Sequence, residues 1–172
     1  MNKLKSIVAV AFLFGTLYGY TREVAYFSNT FDSRFLFFRG IAVGIIAGLA
    51  AFFYYKKSAI DGIERFQIGA FFILLGMFVF PYLFMWSNHF FARKDPLSIK
   101  VIFQRNEPIR TGRFGISRDK LPEIDGFYTY FLRDSEPNRV RSKQQLFQGV
   151  ESGGEVELPI HKGFWGFEFF KD

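Results

Sequence analysis

Residues 35–55, FLFFRGIAVGIIAGLAAFFYY, form an apolar run of 21 residues with one charge in it, Arg39. Coiled as a helix at about 1.5 Å of rise per residue, such a run covers the ~30 Å hydrocarbon core of a bilayer. Gly40, Gly44 and Gly48 recur in it every four residues. That spacing stacks them on one helix face, where a second backbone can approach closely. The run therefore predicts a membrane helix with a packing seam, and the remaining segments must accommodate it.

Charge divides the chain into two parts. Residues 1–92 carry twelve charged side chains, and all the others follow from Arg93 onward. A membrane half at 1–92 followed by a solvated half at 93–172 fits this asymmetry better than one globule. The 26 phenylalanines suit both lipid contact and a small β core. A net charge of +6 calls for no nucleic acid, since basic flanks match anionic head groups equally well. The absence of cysteine excludes disulfides and thiol chemistry.

The N-terminus, MNKLKSIVAVAFLFGTLYGY, has a basic flank and an apolar run but no small-x-small cleavage pattern after it. It reads as an uncleaved first span, about 6–22, whose Gly15 and Gly19 offer a partner face for the glycines of the second. Residues 21–34 read as a polar connection, so the first two helices are expected to be antiparallel. The second span, 35–55, ends in aromatic and lysine residues suited to the interface. A third, about 66–87, contains Pro81, expected to kink it, and ends near Trp86 at head-group level. Basic residues tie between the two membrane faces. The weight of the first helix favours a cytoplasmic N-terminus and a periplasmic C-terminal domain in a bacterial inner membrane.

After Arg93 the period falls to two. Residues 97–104, LSIKVIFQ, alternate, 126–133, GFYTYFLR, are aromatic and β-branched, and 155–160, EVELPI, alternate again. A hairpin through His161, Lys162 and Gly163 is expected to lead into a strand at 164–170. Stretches 105–125 and 134–143 read as turns, with a further strand at 143–150. The predicted fold is α+β: three transmembrane helices followed by a small antiparallel β-sandwich or partly open barrel, thin enough in core to need docking.

Catalytic chemistry finds little footing. His89 and His161 stand apart from any metal-ligand spacing and read as a surface side chain and a loop residue. Asp119, Glu123 and Asp125 lack the order of a calcium loop. GRFG at 112–115 has no phosphate-loop frame, and ESGG at 151–154 is no nucleophile elbow. The second and third spans contain no acid or histidine, which argues against a coupled transporter. Arg39 is expected to snorkel to head groups, or to meet a lipid phosphate or a partner's acid.

The sequence thus reads as a non-catalytic integral membrane protein, an accessory or structural subunit of a cell-envelope complex, with no cofactor and no metal. Gly15, Gly19, Gly40, Gly44 and Gly48 would pack helices, within the chain or with a partner or second copy. Arg39 and Trp86 would meet lipid or partner, and Tyr128, Tyr130, Trp165 and Phe167 would form the β domain's interaction face. Alternatives are an immunity or exclusion protein against a membrane-active toxin, and a membrane-anchored ligand sensor.

Overall fold

The computed structural model describes residues 3–110 and 124–172. Helices α1 (Lys3–Ser28), α2 (Ser33–Tyr55) and α3 (Gly62–Phe90) precede strands β1 (Leu97–Arg110), β2 (Ile124–Arg133), β3 (Glu136–Ser142), β4 (Glu155–Lys162) and β5 (Glu168–Phe169). The fold is α+β. It divides into two compact units, and neither is one run of sequence. Asp32–Ala92, the preceding chain up to Phe27, and Gly163–Phe167 make the helical unit; Ser28–Phe31, Arg93–Lys162 and Glu168–Asp172 make the β unit.

In the helical unit, α2 and α3 are each long and apolar enough to cross a membrane. α2 buries Leu36, Gly40, Gly44 and Gly48, one residue per turn. The helix lying along that seam is α3, antiparallel to it. A Cβ on Gly40 would stand 2.6 Å from the Pro81 Cα, and one on Gly48 would stand 2.7 Å from the Ile73 Cα. Gly44 and Gly76 lie backbone to backbone, each occupying the space the other's side chain would need. Gly15 and Gly19 of α1 are one expected partner of the seam, but a Cβ added at Gly15 would meet nothing within 4 Å. Gly19 instead makes room for the Tyr82 ring of α3. On α3, Gly76 meets Gly44 directly, and Gly69, two turns earlier, lies against the Phe52 ring of α2.

α1 reaches α3 through long side chains rather than backbone contact. The Tyr20 hydroxyl donates to the Phe78 carbonyl at 2.6 Å, and its ring lies 5.3 Å from Phe78 and 5.4 Å from Tyr82. Beneath Phe12, beside Ala47, Gly48, Ala51 and Gly76, a crevice of about 170 Å³ stays open. The connection expected at 21–34 is mostly helix: α1 continues to Ser28 and α2 begins at Ser33. α3 starts at Gly62, earlier than the apolar run, because Asp61 caps it. Its Oδ1 accepts from the Glu64 N–H at 2.7 Å while Glu64 accepts from the Ile60 N–H at 2.6 Å. The helix runs through Pro81 to Phe90.

The β unit is an antiparallel sheet in the order β3-β2-β1-β4-β5, curled into a half-barrel. Val101, Phe131, Val140, Leu158, Ile160 and Phe170 fill its concave side. The stretch expected as a turn at 134–143 is instead a two-residue turn followed by β3. Asp134 and Ser135 both take positive φ, 52° and 68°, as the tight hairpin turn requires. Pro137 obscures β3 in the sequence, yet it is tolerated because β3 is an edge. The strand expected at 143–150 does not form; Phe147 and Gly149 turn the chain with positive φ, and Leu146 and Phe147 pack on the core.

Residues 28–31 close the half-barrel. Phe31 enters the core and donates its N–H to the Glu168 carbonyl at 2.9 Å, and Thr30 bridges Phe169. On the other edge the Asn29 amide pairs with β3, donating to the Arg141 carbonyl at 2.8 Å and accepting its N–H at 2.7 Å. A side chain thus saturates backbone groups that an open edge would leave exposed.

Candidate functional site

Two polar residues of the helical unit, one on α3 and one on α1, are buried: Asn88 at 1% exposure and Glu23 at 6%. Glu23 Oε2 lies 3.0 Å from His89 Nδ1, and the His89 ring stacks on Tyr26 with centroids 4.2 Å apart and planes within 5°. Nδ1 also faces the Met85 carbonyl at 3.3 Å. Oε2 therefore has a close ring neighbour but no aligned hydrogen bond among the described residues. His89 is thus no surface histidine; it ties α3 to α1, one helical turn beyond the Tyr20 contact on α1.

Asn88 holds the loop Gly163–Phe167. Its Nδ2 donates to the Phe167 carbonyl at 3.2 Å, its Oδ1 accepts from the Trp165 N–H at 3.1 Å, and its carbonyl accepts from the Phe164 N–H at 2.9 Å. Any side chain at Gly163 would collide with the Asn88 amide. Trp165 adds a bond from its indole N–H to Ser87 Oγ at 2.9 Å and stacks on Phe84 at 4.6 Å. The strand expected at 164–170 is only Glu168–Phe169. His161 pairs with Phe169 and Lys162 with Glu168, so 163–167 is the turn between the strands, closed by the Gly163 N–H donating to the Phe167 carbonyl at 2.9 Å and bent at Gly166 with φ 86°.

Trp165 and Phe167, expected on the β domain's interaction face, therefore belong to the helical unit. Phe167 lies under the Arg39 guanidinium, 5.0 Å from its ring centre. Trp86 stacks on Phe90 at 4.7 Å. Tyr128 and Tyr130 alternate in β2 with buried Thr129 and Phe131, so they lie on the sheet face away from the core. Arg105 covers Tyr130 at 5.0 Å and Arg139 covers Tyr128 at 4.7 Å, with the two rings 6.5 Å apart. Register explains the ladder, since Arg105, Tyr130 and Arg139 are directly opposite one another across three strands. Near the other edge, Lys100 pairs with Glu155 at 2.9 Å, and that hydrogen bond raises its amine above the ordinary value.

His161, expected in a loop, lies in β4 and stacks on Phe169 at 5.7 Å. Asp125 is exposed at the start of β2, whereas Asp119, Glu123 and the 112–115 stretch lie outside the described residues. Among the described residues no three acidic or histidine side chains are placed to share a metal ion. What the helical end offers chemically is a set of aromatic faces, the Arg39 guanidinium over Phe167, and a buried acid beside the His89 imidazole. The sequence signal that marks it is S-N-H at 87–89, a polar triplet between Trp86 and Phe90. Compared with known protein families, with curated proteins and with solved structures, the chain matches none.

Proposed function

We propose that this chain is a non-catalytic integral membrane protein whose three helices span a bacterial inner membrane and whose β unit is periplasmic, serving as an accessory subunit of an envelope complex. The observation that carries the reading is the outward surface of α2 and α3. Most of the apolar length of α2 and α3 is unburied, and Phe38, Ile46, Phe66 and Leu74 are each more than 60% exposed. Contiguous apolar surface of this extent suits lipid. Gly40, Gly44 and Gly48 of α2 are already packed on α3, so a partner is met elsewhere. The Arg105–Tyr130 and Arg139–Tyr128 pairs supply that surface, since partly exposed tyrosine and arginine are the residues that anchor protein contacts.

A photo-crosslinking residue in place of Tyr130, used in native membranes, tests this. The expected result is one membrane-complex protein captured in fixed stoichiometry, with capture lost on Arg139→Glu. Capture that is absent, or indifferent to Arg139→Glu, overturns the subunit reading.

A further inference from the structure

Six rings of the helical unit form a continuous chain: Phe84 on Trp165 at 4.6 Å, Trp165 on Phe164 at 5.0 Å, Phe164 on Phe91 at 5.9 Å, Phe91 on Phe90 at 5.0 Å, and Phe90 on Trp86 at 4.7 Å. Both tryptophans of the protein are in it. Phe164 is 59% exposed and Trp165 42%, and Phe90 and Phe91 are comparably open. Exposed rings on a mobile tail would mean little, but this loop is fixed. Three of its backbone groups are bound by Asn88, the Trp165 indole is bound by Ser87, and Gly163 is cut to fit Asn88. The fold thus spends a buried asparagine on presenting apolar rings outward from the end of an apolar helix.

We infer that the loop Gly163–Phe167 is a membrane-contact element: Phe164 and Trp165 insert into the head-group and upper acyl layer of the bilayer beside Trp86, Phe90 and Phe91. This rests on the membrane reading above. Lipid is the occupant because the rings continue the surface of α3, whose apolar length ends at Phe90, where the interface falls. Tryptophan, with an apolar body and one N–H, prefers that layer, and the Trp165 N–H is already satisfied by Ser87. Arg39, over Phe167, places a cation at the same end of the unit, where lipid phosphates lie. A loop between two strands so becomes a second anchor, distant in sequence from the spanning helices.

The two tryptophans make the test direct. Full-length Trp86→Phe leaves Trp165 as the sole reporter, and Trp165→Phe leaves Trp86. Each is reconstituted in vesicles of phosphatidylcholine and phosphatidylglycerol carrying a nitroxide at the head group or near the chain end, with iodide as aqueous quencher. Trp165 emission should be quenched at least about twofold more by the shallow nitroxide than by the deep one, and be shielded from iodide. If Trp86 is quenched by lipid while Trp165 is open to iodide, or is shielded from both, the inference fails and the spans stand. If neither tryptophan is quenched by lipid, the membrane reading fails and the inference with it.

Discussion

Gly44→Ile should force α2 away from α3 and destabilise the helical unit by about 3 kcal/mol or more. The space for a side chain is filled by the Gly76 backbone, which cannot change rotamer to yield, and the reciprocal contact holds at Gly76. Gly44→Ala should already cost about 1–3 kcal/mol, as overpacking does. The informative control is Gly15→Ile. By spacing alone Gly15 and Gly44 look alike, yet a Cβ on Gly15 would meet nothing within 4 Å, so that change should stay within about 0.5 kcal/mol. Thermal unfolding in detergent reads all three. Equal effects at Gly15 and Gly44 would mean that the α2–α3 seam is not where the helices are held.

The second large effect is expected at the acid–imidazole pair. His89→Leu removes the imidazole 3.0 Å from a Glu23 oxygen that is already buried, together with the ring stacked on Tyr26. Stranding a buried polar atom costs about 2–3 kcal/mol, and more if it is charged. Glu23→Gln, which keeps the shape and leaves a neutral amide, should cost about 1 kcal/mol. Replacing both residues by leucine should recover most of the His89→Leu loss, because no polar group is then left stranded. A double-mutant cycle on denaturation midpoints measures this directly. Additive single effects would show that the two side chains do not hold α1 to α3 together.

What could be read in advance follows from how local each feature is. The α2 run and the alternation in β1 and β4 are patterns of neighbours, and they appear as helix and strands at Ser33–Tyr55, Leu97–Arg110 and Glu155–Lys162. The seam glycines were visible, but their partner was not, because Gly76 and Pro81 face Gly44 and Gly40 only once α3 folds back. β3 was hidden by Pro137 and Asn138, turn formers that an edge strand can carry. The turn at 163–167 reads as strand because the Asn88 amide that binds Trp165 and Phe167 there is far away in sequence. Likewise Glu23 looked like a loop charge until His89 lay beside it. Pairings that require tertiary folding leave no local periodicity to read.

The chain has no cysteine, so single cysteines can report position without a background. The most direct measurement is the rate at which a membrane-impermeant maleimide labels Ile46→Cys, Leu74→Cys and Lys100→Cys in the reconstituted full-length protein. Ile46 and Leu74 are exposed on the outward faces of α2 and α3, and Lys100 is exposed on β1. Helices in lipid leave Ile46→Cys and Leu74→Cys unlabelled until detergent is added, while Lys100→Cys reacts at once in those molecules whose β unit faces outward. Labelling of all three positions at similar rates in intact vesicles would contradict a membrane-spanning α2–α3 pair.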